Sequence, residues 1–252
     1  MLFGCAPLSE GPSMTDTICT TTHHGIVTVT LNRPHVRNAL RLREFDRLIQ
    51  IVDTVADDPE LRVLLLTGTG ETFCAGGDLK ESATLGPEEL AEHPVHRLTE
   101  RLTRFPKVLI AAVHGAAAGF GATMLLHADA VVAGPLARIA TPFASLGVPA
   151  EAGSSLLLPA IAGPRVAARM LLFGERIGAA EAHACGLVSH LVDGDREAVV
   201  ASAQELATAI VAMPAGAVES NKHLLRAAHE APLQEALRRE RTELSAMLPR
   251  RV

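Results

Sequence analysis

Two runs of small residues stand out as possible sites of chemistry, because each follows an apolar stretch. Ala75-Gly76-Gly77-Asp78 comes after the run 63–67, and Gly115-Ala-Ala-Ala-Gly-Phe-Gly121 comes after 108–113. A strand that turns through small residues into a helix leaves backbone N–H groups without a partner. Two such turns on neighbouring strands can direct two N–H groups at one oxygen, forming an oxyanion hole for a thioester carbonyl that becomes an enolate. Either turn alone is more typical of tight packing.

The second turn also fits a different chemistry. Its Gly-x-x-x-Gly-x-Gly spacing matches the turn on which short-chain dehydrogenases seat a dinucleotide pyrophosphate. Three features argue against that interpretation: the turn lies in mid-chain, whereas that fold opens with it; the chain has no tyrosine, which those enzymes require; and 135–140 offers no acidic residue to end a following strand. Nucleotide-dependent reduction is therefore not favoured.

The composition limits the classes of function. The 252 residues carry 23 Lys and Arg against 28 Asp and Glu, a net charge of −5, which argues against nucleic acid as a partner. No two of the four cysteines form a Cys-x-x-Cys pair, so neither a metal site nor a redox dithiol is expected. Scattered cysteines, no signal peptide and no membrane-length apolar run predict a cytoplasmic protein that does not contact a membrane.

Hydrophobic periodicity supplies the elements that must position these turns. Apolar runs predict strands at 25–31, 63–67, 108–113, 130–133 and 188–192. Helical spacing predicts helices at 41–56, 87–104, 119–127, 153–162, 165–173, 179–185, 195–212, 216–229 and 232–247. This order indicates an α/β fold with a helical C-terminal portion. We expect a flexible N-terminal extension (1–16), a core (17–195) and a C-terminal helical region (196–252).

Taken together, the motifs resemble those of the crotonase superfamily, the enoyl-CoA hydratases and isomerases, over residues 18–247. They are Asn32-Arg-Pro34, Arg37-Asn-Ala-Leu40, Phe73-Cys-Ala-Gly-Gly-Asp-Leu79, Ala112-Val-His-Gly-Ala-Ala-Ala-Gly-Phe-Gly121, Thr141-Pro-Phe-Ala-Ser-Leu-Gly147, Glu181-Ala-His-Ala-Cys-Gly-Leu187 and Asn221-Lys222. The resemblance implies a crotonase-like ββα spiral core, with the backbone N–H groups of Gly77 and Phe120 as oxyanion donors. Phe120 stands where glycine is often found, but any residue except proline retains the donor.

The same resemblance implies that the chain binds an acyl-CoA thioester, so that coenzyme A enters with the substrate and no separate cofactor is expected. The segment 73–79 would line the adenine pocket, and two basic side chains could approach the phosphates. The residues implied in coenzyme A binding are Arg37, Ala39, Cys74, Ala75, Gly76, Asp78, Leu79 and Lys222. Family precedent further implies that 196–252 mediates assembly into a homotrimer or a hexamer.

The type of reaction depends on carboxylates. Hydratases of the superfamily carry two glutamates, and the matching positions here are Thr123 and Phe143. The segment 141–153 instead resembles that of the peroxisomal-type Δ3,Δ2-enoyl-CoA isomerases, which use one glutamate as the proton shuttle, and Glu151 falls on its position. A lone loop glutamate is commonly a solvated acid. Hydration, another crotonase reaction through Glu151, and acyl-CoA binding without turnover therefore stay open.

Overall fold

The computed structural model describes residues 16–247, so the expected extension falls almost entirely outside the described residues. Its strands are β1 (Ile18–His23), β2 (Ile26–Leu31), β3 (Val63–Gly68), β4 (Thr72–Cys74), β5 (Val108–Val113), β6 (Ala116–Ala118), β7 (Ala130–Ala133), β8 (Arg138–Ala140), β9 (Arg176–Gly178) and β10 (His190–Leu191). Its helices are α1 (Leu42–Asp57), α2 (Leu79–Ser82), α3 (Pro87–Ala91), α4 (Pro94–Arg104), α5 (Phe120–Thr123), α6 (Ser154–Ala162), α7 (Pro164–Leu171), α8 (Ala179–Ala184), α9 (Arg196–Val211), α10 (Ala215–Ala227) and α11 (Glu230–Met247).

The larger sheet has the order β1-β2-β3-β5-β7-β10, and every neighbouring pair except β1–β2 is parallel. All residues of β3 and β5 are buried. This explains their continuous apolar runs, because a parallel strand covered on both faces has no polar side. The α/β class expected from the sequence is confirmed.

Each face of the larger sheet has its own hydrophobic layer. Leu64 and Leu66 point into a large core that includes α1 and α4, whereas Val63 and Leu65 point to the opposite face. That second face is covered by α9 through its small side chains Val199, Ala203 and Ala207. The expected boundary at residue 196 thus does not separate the core from the C-terminal region, since α9 completes the sheet's packing. An assembly role for 196–252 stays a prediction.

The smaller sheet has the order β4-β6-β8-β9, with β4, β6 and β8 parallel to one another and β9 antiparallel. The sequence did not predict these strands. Each is three residues long, too short to show a period of two, and β6 consists of alanine alone. Their pairing is nevertheless what places the two small-residue turns side by side.

Two expected helices are interrupted. The segment 87–104 divides into α3 and α4 because Pro94 lacks an N–H group and starts a new helix, which His93 caps by accepting from the Val95 N–H at 3.1 Å. The segment 119–127 is α5 followed by a 3-10 turn over Met124–His127. The other predicted helices are present with shifted ends.

Within residues 16–247, no single helix has both the length and the apolarity to cross a membrane. The helices α9 and α10 meet that test only as a pair, and the pair is bent by 108° at its break.

Candidate active site

Three loops leave the carboxyl ends of the parallel strands β4, β6 and β8. They are the turn 75–78, the turn at Gly119 and Phe120, and the long loop 141–153. Loops that follow neighbouring parallel strands meet at one edge of a sheet, where α/β proteins commonly place their binding sites. The smaller sheet thus brings together the two small-residue turns and Glu151.

The two turns are in direct contact. Gly76 has φ +89°, and a β-carbon built on it would lie 2.7 Å from the Ala118 carbonyl oxygen and 3.0 Å from the Phe120 nitrogen. Leu40 fixes the first turn, because its N–H donates to the Gly76 carbonyl and its carbonyl accepts from the Asp78 N–H. Among the described residues, neither the Gly77 nor the Phe120 N–H has an acceptor, and the space around Gly77 is open. The two N–H groups without an acceptor therefore belong to turns that touch each other.

The ring of Phe120 is buried in the large core. It is 2% exposed and packs on the ring of Phe45, with 5.2 Å between the centroids. Gly121, the next residue, lies so close to β4 that a β-carbon on it would be 2.2 Å from the Cys74 carbonyl oxygen. The side chain thus anchors the turn in the core while its backbone N–H remains available.

Asn38 ties the loop 33–38 to β4, the strand that leads into the first turn. Its buried side chain accepts from the Arg33 N–H, and its amide nitrogen lies within hydrogen-bond distance of the Thr72 and Phe73 carbonyl oxygens. Beside it, the Ala75 N–H donates to the Arg37 carbonyl at 3.0 Å. The exposed Arg37 side chain is consequently held next to the 75–78 turn.

Glu151 stands at the end of the long loop, half-buried, at a strained turn. The two residues after it, Ala152 and Gly153, have φ +56° and +75°. Thr123, one helical turn beyond Phe120, donates from its hydroxyl to Oε1 of Glu151 at 3.3 Å. Burial first and the charge of Glu240 second raise the pKa of Glu151 to about 7, and the bond from Thr123 lowers it slightly. Such a carboxyl can both take and return a proton near neutral pH.

Two side chains from other elements hold the Glu151 turn. His127 Nε2 lies 2.8 Å from the Ala152 carbonyl oxygen and must carry the proton there, because a carbonyl only accepts. Burial lowers the pKa of His127 to about 4, so this imidazole is neutral at neutral pH. Glu240 of α11 accepts from the Gly153 N–H at 2.8 Å and the Ser155 N–H at 2.9 Å.

No three His, Cys, Asp or Glu side chains of the described part of the chain form a group that could hold a metal ion. The chemistry available at this edge is therefore that of one carboxyl beside two free backbone donors. Comparison with known proteins then decides the family, since residues 21–250 match the family model "Enoyl-CoA hydratase/isomerase".

The chain belongs to the enoyl-CoA hydratase/isomerase family. It is 35% identical over 223 residues to 1,2-epoxyphenylacetyl-CoA isomerase of Escherichia coli, covering 86% of this chain and 84% of that protein. It is 36% identical over 216 residues to 2,3-dehydroadipyl-CoA hydratase of the same organism, with the same coverage. The structure resembles the crystal structure of an enoyl-CoA hydratase/isomerase from Pseudoalteromonas atlantica, with a TM-score of 0.86 at 30% identity and 92% of each chain covered. The expected crotonase fold is confirmed.

Most site residues proposed from the sequence lie together in this enoyl-CoA hydratase/isomerase family protein. Glu151 and the N–H groups of Gly77 and Phe120 border the same edge. Most residues proposed for coenzyme A lie in the 75–78 turn or next to it: Arg37, Ala39, Ala75, Gly76, Asp78 and Leu79. Asp78 caps α2 by accepting from the Lys80 N–H and also pairs with Arg33 at 3.1 Å.

Cys74 is fully buried, and burial raises the pKa of its thiol to about 12, so this side chain packs and is not available to coenzyme A. Contact between coenzyme A and the other residues stays a prediction.

Lys222 is a second exception: the structure contradicts the expectation that it approaches coenzyme A phosphates, because its ammonium group is buried and paired within the chain. Its side chain is 6% exposed, and its ammonium group donates to the Lys107 carbonyl and to Asp129 Oδ2, the latter at 2.5 Å. The Phe105 ring lies 5.2 Å from the same nitrogen. A buried ammonium needs such partners, so Lys222 ties α10 to β5 and the segment before β7.

Three residues that shape the site were not singled out from the sequence. Asn38 lay inside a quoted motif, but nothing local to it indicates a side chain that bonds to residues more than 30 positions away. His127 and Glu240 act on the Glu151 turn from distant parts of the chain. Hydrophobic periodicity gives no information about contacts between residues that are far apart in the sequence.

Proposed function

We propose that this protein shifts the double bond of a 3-enoyl-CoA thioester to the 2-position. The observation that carries the proposal is the Glu151 carboxyl, with its pKa raised to about 7 and its Oε1 bonded to Thr123, one helical turn from the free N–H of Phe120. A base in this place is suited to the carbon next to a thioester carbonyl. No second carboxyl is required.

The reaction balances with one base. The Glu151 carboxylate takes a proton from C2, and the electron pair released forms a dienolate whose oxygen accepts from the N–H groups of Gly77 and Phe120. The protonated Glu151 then returns its proton to C4, which leaves the double bond between C2 and C3. The carboxyl thus ends in its starting state, and no water is consumed.

The coenzyme A part of the substrate supplies recognition in this proposal, and no separate cofactor takes part. The 75–78 turn and the exposed Arg37 beside it present backbone groups and one positive charge at the rim of the site. Free Cys19, Cys74 and Cys185 fit a cytoplasmic location, which we propose as well.

Hydration of a 2-enoyl-CoA is the second candidate, favoured by the named hydratase among the relatives. Adding water needs a group to hold and activate it, and the two hydratase positions carry the buried side chains of Thr123 and Phe143. Isomerisation forms a conjugated thioester, whereas hydration removes one. The ultraviolet absorbance of the conjugated thioester therefore rises during isomerisation and falls during hydration. We expect isomerisation of a 3-enoyl-CoA to be far faster than hydration of crotonyl-CoA on one preparation; the reverse order would overturn the proposal.

The Glu151→Gln variant tests the base. It keeps the shape of the side chain but cannot take a proton, so we expect turnover of 3-enoyl-CoA to fall at least ~100-fold while acyl-CoA binding stays near wild type. Glu205→Gln, on the exposed face of α9, is the matched control and should behave as wild type. A Glu151 variant that keeps most of the activity would remove this residue from the mechanism, and binding without turnover in the wild-type protein would favour a non-catalytic relative.

A further inference from the structure

Glu240 is a buried carboxylate that the reaction itself does not use. It lies on α11, is 7% exposed, and makes its hydrogen bonds to residues 85 and 87 positions earlier in the chain. Its two oxygens accept from the Gly153 N–H, the Ser155 N–H and the Ser155 hydroxyl, the last at 2.5 Å. A carboxylate is buried in this way only where several donors compensate for its lost hydration.

These donors belong to the turn that presents the base. Glu151 precedes Gly153 by two residues, and its own carbonyl accepts from the Ser154 N–H at 3.0 Å. The helix α11 also packs directly on this turn, since a β-carbon on Gly153 would lie 2.5 Å from Leu233 Cδ1. The conformation after Glu151, with two successive residues at positive φ, is therefore held from α11.

The charged and titratable groups around Glu151 come from three elements. Glu240 faces it from α11, and neutral His127 holds the Ala152 carbonyl from the 3-10 turn. Behind His127, Arg226 of α10 donates to the His127 carbonyl at 3.3 Å. Thr123 of α5 adds one neutral donor. Glu240 is the only one of these groups that brings negative charge.

We propose that Glu240 is a positioning residue for Glu151, which holds the 151–155 turn from α11 and keeps a second negative charge behind the base. The electrostatics agree, because the charge of Glu240 follows burial as a cause of the raised pKa of Glu151. Without that charge, Glu151 would lose its proton at lower pH, and its carboxylate would be a weaker base toward the proton on C2. The inference rests on the proposed role of Glu151 as the base.

Titration of the Glu151 carboxyl by 13C NMR tests this directly in protein labelled with 13C-δ glutamate. Glu151→Gln identifies the resonance, and no substrate is needed, so the result stands apart from whether the isomerase proposal holds. We expect a midpoint near 7 in the wild type, lowered by roughly half a unit or more in Glu240→Gln. Glu243→Gln, an exposed site on the same helix, should leave the midpoint unchanged. A wild-type midpoint near 4.5, or an unshifted midpoint in Glu240→Gln, would overturn the proposal.

The pH profile of kcat for 3-enoyl-CoA supplies the second measurement. Glu240→Gln should lower kcat about 10-fold or more, with KM little changed, and should move the acid limb to lower pH. If kcat fell equally at every pH and the acid limb of the profile did not move, Glu240 would have only a structural role. That result would overturn the proposal.

Glu240→Asp covers the case in which the Gln variant does not fold. It keeps the charge but is one methylene shorter, so we expect the limb to stay near wild type while kcat falls. Wild-type kcat in this variant would count against the positioning role.

Discussion

Glu151 is a carboxyl held where its ionised form is disfavoured, and this should be visible in the stability of the protein. Its pKa is about 7 in the folded chain against an ordinary 4.5, so the folded state holds the proton more tightly than the unfolded state. The resulting stabilisation is fully present below pH 4.5 and is lost as the pH rises through 7. At about 1.4 kcal/mol for each pKa unit, the loss is on the order of 3 kcal/mol.

Urea unfolding of the wild type and of Glu151→Gln at pH 5 and pH 8 measures this difference. Glutamine has no proton to lose, so the free energy of unfolding of the wild type relative to the variant should fall by on the order of 2–3 kcal/mol between the two pH values. Titrating groups that do not interact with Glu151 are common to both proteins and cancel. Parallel pH dependences would show that the Glu151 carboxyl titrates normally.

At the scale of elements, the site depends on how closely β4 and β6 approach each other. Gly76 has a positive φ, and a β-carbon built on it would lie 3.0 Å from the Phe120 nitrogen. In Gly76→Ala the new β-carbon would meet the Ala118 carbonyl and the Phe120 nitrogen, so the turns must separate and the two N–H groups proposed as oxyanion donors must diverge.

We therefore expect kcat of Gly76→Ala to fall about 100-fold, the scale of losing one oxyanion donor. Circular dichroism should show the fold retained. Gly86→Ala is the matched control, because Gly86 has φ −74° and a β-carbon there meets only the Glu89 carboxylate at 3.6 Å. Wild-type kcat in Gly76→Ala would show that the two turns need not touch.

At the scale of the whole molecule, α10 leaves apolar side chains uncovered. Leu224 is 65% exposed and Leu225 is 76% exposed, whereas Leu233 and Ala236 of α11 are buried against the same chain. The sequence alone did not decide whether these two helices cover their own core or a neighbour. For α11 the buried side chains favour its own core, and for α10 the exposed pair favours a subunit contact.

Light scattering at micromolar concentration should then give a mass of three or six times 26.5 kDa. Replacing Leu225 by Arg should shift the mass toward the monomer, because the charge would be buried without a partner at the interface. Replacing the already charged, exposed Arg239 by Lys is the control and should leave the mass unchanged. A single species of 26.5 kDa in the wild type would refute the oligomer.

The sequence by itself determined five of the six strands of the larger sheet, most of the helices and Glu151 as the candidate base, but it did not predict β1. Runs such as 63–67 and 108–113 are long enough to report burial, and Glu151 followed from its place in a matched motif. Only the tertiary structure decided the smaller sheet, whose three-residue strands carry no period, and with it the contact of the two turns.

The tertiary structure also decided where two charged residues lie and which groups they bind. Lys222 is paired inside the core, and Glu240 reaches across to the Glu151 turn, although both have the types and spacing of solvated helix residues. The physical reason is that a hydrogen bond between distant residues depends on where the elements pack, and local spacing contains no record of that packing.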